Sequence, residues 1–147
     1  MNTIVPLLPD DMSEAWNIEQ LSHELPWSEK TFSENQGRNY LNFKRCVGDR
    51  IVAFAITQTV LDEASLFNIA VHPHYQRLGH GSALLDHLIT ELTQRKVLTL
   101  WLEVRESNAT ALALYHSRGF NEVSIRHHYY PLTEGRMNAL IIALPLG

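Results

Sequence analysis

The stretch that decides the fold is LFNIAVHPHYQRLGHGSALLDHLITEL, residues 66–92. Its first six residues are mostly apolar and end shortly before Pro73, as expected for a β-strand. Two glycines follow at positions 79 and 81. After them leucines recur at helical spacing, with polar residues on the opposite face. The stretch therefore predicts a strand, a glycine-containing turn and an amphipathic helix, in that order.

The sequence that follows completes a strand–helix–strand unit. VLTLWLEV, residues 97–104, is an almost unbroken apolar run and predicts a strand covered on both sides. Two strands joined through a helix in this way are parallel, with a right-handed crossover. Further on, Asn108 is a suitable N-cap for a helix that stops at Gly119. Residues 123–130 and 137–144 predict a closing hairpin.

The sequence before the deciding stretch predicts short helices and antiparallel strands. The predicted elements are a strand over 4–7, a helix ending near Leu21, a short helix from Ser28 to before Gly37, and a hairpin over 40–47 and 50–58. No repeat or linker interrupts the chain, so we expect one domain over residues 1–147. The predicted fold class is α+β: a central mixed, mostly antiparallel sheet with one parallel unit and helices on both faces.

Composition narrows the class of protein. The chain has 147 residues, of which 45% are hydrophobic and 19% charged, as in soluble globular domains. A net charge of −4 argues against a nucleic-acid-binding protein, which normally has a basic face. No run approaches the roughly 20 apolar residues of a membrane span, and the first residues do not have a signal-peptide pattern. We expect a cytoplasmic protein that binds neither nucleic acid nor membranes.

The turn QRLGHG, residues 76–81, is the candidate ligand site. Glycines let a backbone approach a ligand closely, and the first N–H groups of a helix can bind a diphosphate. A P-loop would need a lysine after the second glycine, and none follows. A dinucleotide fingerprint needs a third glycine where Leu84 stands, although Glu103 lies about where its ribose-binding acid is expected. A plain tight turn is the remaining alternative to a coenzyme-binding loop.

The turn and its surroundings resemble the GCN5-related N-acetyltransferases. Gln/Arg-x-x-Gly-x-Gly after a strand ending in Ile-Ala-Val resembles that family's loop for the pyrophosphate of coenzyme A. Residues 108–120, NATALALYHSRGF, resemble its second cofactor-side helix. Other segments narrow the resemblance to the bacterial branch that acetylates the N-terminal alanine of the eighteenth small-subunit ribosomal protein. These segments are LPWSEKTF at 25–32, LFNIAVHP at 66–73, WLEVRESNA at 101–109 and HYYP at 128–131.

The resemblance implies a cosubstrate, acetyl-CoA, no metal, and roles for particular residues. The implied catalytic base is Glu103 and the implied acid is Tyr115, acting in a ternary complex without a covalent intermediate. The implied cofactor contacts are Ile69, Ala70, Val71, Arg77, Leu78, Gly79, His80, Gly81, Ser82 and Asn108. Residues suited to wall a groove for the N-terminus of the ribosomal protein are Leu25, Pro26, Trp27, Tyr129 and Tyr130. Tyrosines also pack well on any closing hairpin, so the last two stay open.

Three positions depart from the family pattern. Leu78 and His80 fill variable places of the loop, one of which is often arginine, and this affects the expected affinity for coenzyme A. Leu25 stands where a phenylalanine commonly precedes Pro-Trp, so the shape of the acceptor pocket is expected to differ.

The implied residues suit the formation of an amide from a thioester. An α-amino group has a pKa of about 7.7–8.0, so a modest base is enough, whereas a lysine at about 10.4 needs more help. Glu103 interrupts an apolar run, and we expect burial to raise its pKa. A free N–H over 69–71 would stabilise the oxyanion if the two parallel strands separate there. The plainer alternatives are a strand-end glutamate paired with Arg105 and a core tyrosine at position 115.

Two other chemistries are disfavoured. The eight histidines, including His72, His74 and His80, lack the cysteine pair or His-Glu-x-x-His pattern of zinc sites. Cys46 would need a histidine base to act as a nucleophile, and it lies on a predicted edge hairpin. Two alternative functions stay open: acetylation of a lysine or a small amine, and binding of coenzyme A without turnover. A carboxylate and a tyrosine at positions 103 and 115 argue against a mere binding module.

Overall fold

The computed structural model describes the backbone of residues 1–132 and 135–147 and the side chains of residues 1–127 and 138–147. Its helices are α1 (Met12–Ser22), α2 (Glu29–Glu34), α3 (His80–Gln94) and α4 (Ala109–Ser117). Its strands are β1 (Asn2–Pro6), β2 (Phe43–Val47), β3 (Arg50–Val60), β4 (Glu63–Val71), β5 (Thr99–Arg105), β6 (Asn121–Leu132) and β7 (Gly135–Pro145). The order of elements is the predicted one, with boundaries shifted by a few residues. None of the described helices has the length and hydrophobicity that a membrane crossing requires.

The strands form one sheet in the order β1-β2-β3-β4-β5-β7-β6. Strands β4 and β5 are parallel, and the other neighbours are antiparallel. Helix α3 connects the parallel pair, as the deciding stretch predicts. The prediction of a mixed, mostly antiparallel sheet with one parallel unit is confirmed.

Helices cover both faces of this sheet, as predicted. On one face α3 buries its leucine stripe, and Leu84 and Leu88 are fully buried in a cluster that also contains Tyr115 of α4. On the other face α1 and α2 pack around Ile18 and Phe32. The ring of Phe32 meets that of Phe54 edge-on, with 5.2 Å between centroids. The sheet therefore lies between two separate apolar layers.

The parallel strands β4 and β5 are paired over only part of their length. Pairing begins at Glu63–Thr99 and ends at Leu66–Leu102. Immediately after this point the register of β4 against β3 shifts at Phe67, which is a β-bulge. Because a bulge bends its strand, β4 leaves β5 there. The gap between the two strands positions the candidate site.

The prediction that β5 is covered on both sides is wrong. Leu100, Leu102 and Val104 are buried, but Glu103 is exposed and Trp101 is only half-buried. Alternate side chains of a strand face opposite sides of the sheet, so one face of β5 packs on the core and the other lines a cavity. The apolar run concealed this difference because Trp101 and Leu98 are apolar without being buried.

Candidate active site

A cavity of about 400 Å³ occupies the gap between β4 and β5. Its walls come from α1 and the segment after it, from the facing parts of the two strands, and from α4 with its N-cap residue. The predicted site residues that line it are Leu25, Trp27, Ile69, Glu103, Asn108 and Tyr115. The structure thus brings together the implied base, the implied acid and part of the implied acceptor wall.

The ring of Tyr115 is packed into the cavity wall. The residue is 6% exposed, and its ring meets Phe120 edge-on with 5.4 Å between centroids. Burial raises the pKa of the Tyr115 hydroxyl to about 12. Within the described part of the chain we find no hydrogen-bond partner for this hydroxyl. A tyrosine in this state stays protonated at neutral pH and has a proton available to a group in the cavity.

The expected burial of Glu103 is wrong. Its side chain is 34% exposed, and Oε1 lies 2.5 Å from Nη1 of Arg126 on β6. The alternative partner, Arg105, instead lies 2.9 Å from Oε2 of Glu24 at the cavity rim. Glu103 therefore meets the cavity as an ion-paired carboxylate on an open strand face, where solvent can reach it.

At the end of β4, two backbone N–H groups without a hydrogen-bond partner among the described residues face the gap. The N–H of His72 donates to Val52 on β3 at 2.8 Å, and alternate N–H groups of a strand point the same way. The N–H groups of Ile69 and Val71 therefore point away from β3, into the region where β5 no longer pairs. The side chain of Ala70 is buried on the face of the sheet that α1 covers, in the cluster around α1. The separation of strands needed for an oxyanion-binding N–H is present.

The first N–H groups of α3, at the glycine turn, have no hydrogen-bond partner among the described residues. Gly79 is the N-cap residue with φ of 88°, a left-handed conformation that favours glycine, and it offers no side-chain cap. The first helical bond joins the N–H of Ala83 to the oxygen of Gly79. The N–H groups of His80, Gly81 and Ser82 consequently have no partner within the helix. These groups and the helix dipole fit a diphosphate.

The side chains of the turn are distributed unevenly around it. Arg77 and Leu78 are exposed, whereas His80 is buried and its Nδ1 accepts a hydrogen bond from Nε of Arg45 at 3.2 Å. Burial and the neighbouring guanidinium lower the pKa of His80. Only the backbone of His80 is thus available to a ligand. No group of three or more histidine, cysteine or acidic side chains suited to a metal occurs among the described residues.

The remaining predicted residues differ in how well the structure places them. Asn108 caps α4, because its Oδ1 accepts from the N–H of Ala111 at 3.1 Å. Pro26 is exposed and does not line the cavity. Tyr129 and Tyr130 lie on β6, but their side chains fall outside the described part of the chain. A second cavity of about 420 Å³ continues from Glu103 over Trp101, Phe67 and Trp27.

Sequence reasoning missed five polar residues that line the cavity: Glu19, Ser22, His23, Glu24 and Asn68. Glu19 and Asn68 are buried, at 1% and 7% exposure. The sequence indicated that both of these buried residues are unusual. Asn68 interrupts an apolar strand, and Glu19 follows Ala15 by four residues, which places it on the buried stripe of α1. A polar residue at a core position deserves a functional explanation because its burial costs free energy.

The fold and the cavity define an acetyltransferase: residues 1–120 match the family model of the Acetyltransferase (GNAT) family, and the chain belongs to this family. Over its full length it is 62% identical to the ribosomal protein bS18-alanine N-acetyltransferase of Escherichia coli K12, covering 99% of that protein. It is 51% identical to the Haemophilus influenzae protein of the same name, over 97% of this chain and 98% of that one. The crystal structure of the Escherichia coli ribosomal-protein-S18-alanine N-acetyltransferase matches with a TM-score of 0.98 and 61% identity. That match covers 100% of this chain and 95% of the other, and the family resemblance seen in the sequence is confirmed.

Proposed function

We propose that this protein transfers the acetyl group of acetyl-CoA to the N-terminal α-amino group of ribosomal protein bS18, at alanine. Relatives named for this reaction share half or more of their residues with this chain over nearly its whole length. The observation that carries the proposal is the gap between β4 and β5, where Glu103 and Tyr115 line one cavity. A ribosomal-protein substrate implies that the enzyme works in the cytoplasm.

The donor would be held mainly by backbone groups. The free N–H groups of His80, Gly81 and Ser82 suit the diphosphate of acetyl-CoA, with Arg77, Leu78 and Gly79 shaping the approach. The part of β4 over 69–71, which does not pair with β5, leads from this turn into the cavity. The Oδ1 of Asn108 accepts the hydrogen bond that caps α4, so its side-chain N–H groups are the part available to acetyl-CoA.

The proton transfers would be divided between Glu103 and Tyr115. Glu103 accepts a proton from the acceptor amine, directly or through water, and the amine nitrogen bonds to the thioester carbonyl carbon. An N–H of β4 stabilises the negative charge that develops on the carbonyl oxygen. As the carbon–sulfur bond breaks, Tyr115 donates its proton to the sulfur, which leaves as a thiol. The products are an amide and coenzyme A.

A chain-end amine fits this arrangement better than a lysine side chain. At neutral pH a useful fraction of α-amino groups is already unprotonated, since their pKa is about 7.7–8.0, against about 10.4 for lysine. Glu103 lies on an accessible strand face beside Arg126, where solvent reaches its carboxylate. A water molecule can therefore stand between this carboxylate and the α-amino group.

Acetyl transfer to synthetic peptides tests the proposal. One peptide carries the bS18 N-terminal sequence with a free alanine, a second has the same sequence with a blocked N-terminus, and both contain a lysine. We expect acetylation of the free peptide at its first residue, located by mass spectrometry, and none of the blocked peptide. Equal rates on both peptides would show that the acceptor is a side chain and would overturn the proposal.

A further inference from the structure

Glu19 of α1 is a buried carboxylate beside the acceptor part of the cavity, and the proposed proton transfers make no use of it. It is 1% exposed, although an ionised carboxylate loses much solvation when it is buried. Such a group is retained only where hydrogen bonds replace the lost water. The donors that replace the water are His23 and Trp27, in the segment after α1, and Asn68 of β4.

One oxygen of Glu19 holds the segment after α1, and the other holds β4 and a histidine. Oε2 accepts from the backbone N–H of Trp27 at 2.9 Å. Oε1 accepts from Nδ2 of Asn68 at 3.0 Å and lies 2.7 Å from Nδ1 of His23. The carbonyl of Trp27 is held separately by Nε1 of Trp16 at 3.2 Å. Through these bonds the segment 23–27 is fixed to the strand immediately after its bulge.

The bond from His23 also determines what that side chain offers to a ligand. A neutral imidazole carries one N–H, and the contact with a carboxylate places it on Nδ1. In this neutral form Nε2 is a hydrogen-bond acceptor, on a ring that lines the cavity and is about one-third exposed. An acceptor at this place suits an amine, which arrives with N–H groups to donate.

We propose that Glu19 is a positioning residue for the acceptor substrate: it fixes the segment 23–27 on β4 and orients His23 so that Nε2 can bind the acceptor amine. This role rests on the proposed function, because it presumes an amine in this cavity. Glu19 acts through His23 and Trp27 and does not touch the reacting atoms. Burial raises the pKa of Glu19, but the bonds from His23, Trp27 and Asn68 outweigh it and keep the carboxyl ionised near neutral pH.

Glu14 provides a matched control on the same helix. Its Oε2 accepts from the backbone N–H of Ile51 at 3.0 Å, so it also joins α1 to the sheet through a carboxylate. It does not line the cavity. A purely structural role for Glu19 would make Glu19→Gln and Glu14→Gln behave alike in steady-state kinetics, whatever each does to the melting temperature.

The test compares acceptor KM, kcat and the Kd for acetyl-CoA in these two variants and the wild type. Gln at position 19 keeps the shape but places an NH2 group against donors, so we expect the acceptor KM to rise about tenfold. The Kd for acetyl-CoA, measured by calorimetry, should stay within about twofold, since the glycine turn is untouched. Glu14→Gln should leave the acceptor KM, kcat and the Kd for acetyl-CoA near the wild-type values.

Unchanged acceptor KM and kcat in folded Glu19→Gln would overturn the positioning role, and so would a KM rise of equal size in Glu14→Gln. If Glu19→Gln does not fold, His23→Phe decides: it keeps a ring but loses Nε2, and an unchanged acceptor KM contradicts the proposal. The comparison uses whichever amine the wild type acetylates. A wild type inactive on the free-alanine peptide but active on another amine would overturn the proposed function alone.

Discussion

At the scale of single residues, Tyr115 combines a tightly packed ring with a hydroxyl that no described group binds. Tyr115→Phe keeps the ring and its contact with Phe120, so the fold and the melting temperature should change little. Loss of the proton donor should lower kcat by about 100-fold or more, the usual effect of removing a general acid. Near-normal turnover in a folded Phe variant would refute the acid role.

The same hydroxyl should not limit activity at alkaline pH. Because burial raises the pKa of Tyr115 to about 12, the acid form persists across the range in which the protein can be assayed. The profile of kcat against pH should therefore show no decline caused by Tyr115 up to about pH 10. A decline below that pH in the wild type that disappears from the residual activity of Tyr115→Phe would contradict this.

Thr57 on β3 offers a test of stability away from the site. Its Oγ1 is buried without a hydrogen-bond partner among the described residues, while its backbone N–H donates to Asn42 at 3.0 Å. A buried, unsatisfied hydroxyl costs about 1–3 kcal/mol. Thr57→Val keeps the shape and the backbone bond, so it should raise the free energy of unfolding by about 1 kcal/mol in urea titrations. A clear loss of stability would indicate a partner outside the described residues.

At the scale of elements, the two glycines of the turn should respond differently to alanine. Gly79→Ala forces a left-handed φ of 88° on a residue with a Cβ, which costs about 1–2 kcal/mol of stability. A Cβ at position 81 would meet Val71 at 3.5 Å, an ordinary contact, so Gly81→Ala should fold normally. It nevertheless adds a methyl group where the diphosphate would approach the backbone.

Urea unfolding and the Kd for acetyl-CoA separate these effects. We expect Gly79→Ala to lose stability and Gly81→Ala to keep it while binding acetyl-CoA about tenfold more weakly. An unchanged Kd in Gly81→Ala would show that the donor does not lie against this turn.

Periodicity predicted the elements well because each helix and strand follows its own local pattern. The strand–turn–helix unit at 66–92 and the cap at Asn108 needed no knowledge of their neighbours. The exposure of Glu103 was mispredicted because elements distant in sequence decide whether each face of β5 is covered, and the local sequence of β5 does not contain that information. The separation of β4 from β5 after Leu66 could likewise be stated only as a requirement and not predicted, because a β-bulge has no reliable residue pattern. The partners of Glu19, 8 and 49 residues away at Trp27 and Asn68, are equally non-local.

At the scale of the whole molecule, the gap joins the two faces of the sheet. One wall of the cavity comes from α4, which packs with α3, and the opposite wall comes from α1 and the segment after it. A donor bound at the start of α3 and an acceptor bound beside α1 can therefore meet between the strands, which suits direct transfer. Cys46 does not line this cavity; it is buried on β2, which pairs on both sides and is not the predicted edge.

The stability of the whole molecule should depend on acid in a way that Glu19 controls. The folded-state pKa values of Glu19 and Asp11 are lowered: burial raises each, but the hydrogen bonds that each accepts outweigh it, led by those from His23 and Lys44. A carboxyl whose pKa is lower in the folded than in the unfolded state stabilises the fold above its unfolded pKa. That contribution is lost as pH falls through the folded value.

The free energy of unfolding should therefore drop from about pH 5 downward, measured by urea titration. Glu19→Gln should be less stable than the wild type at pH 7, and the difference should shrink as pH approaches the lowered pKa, because the wild type then loses the same contribution. Thr57→Val is the control, since it removes no titratable group and its difference from the wild type should not vary with pH. A difference between Glu19→Gln and the wild type that stays constant between pH 7 and the acid transition would mean that Glu19 is not held ionised by its three donors. The positioning role inferred for it would then lose its physical basis.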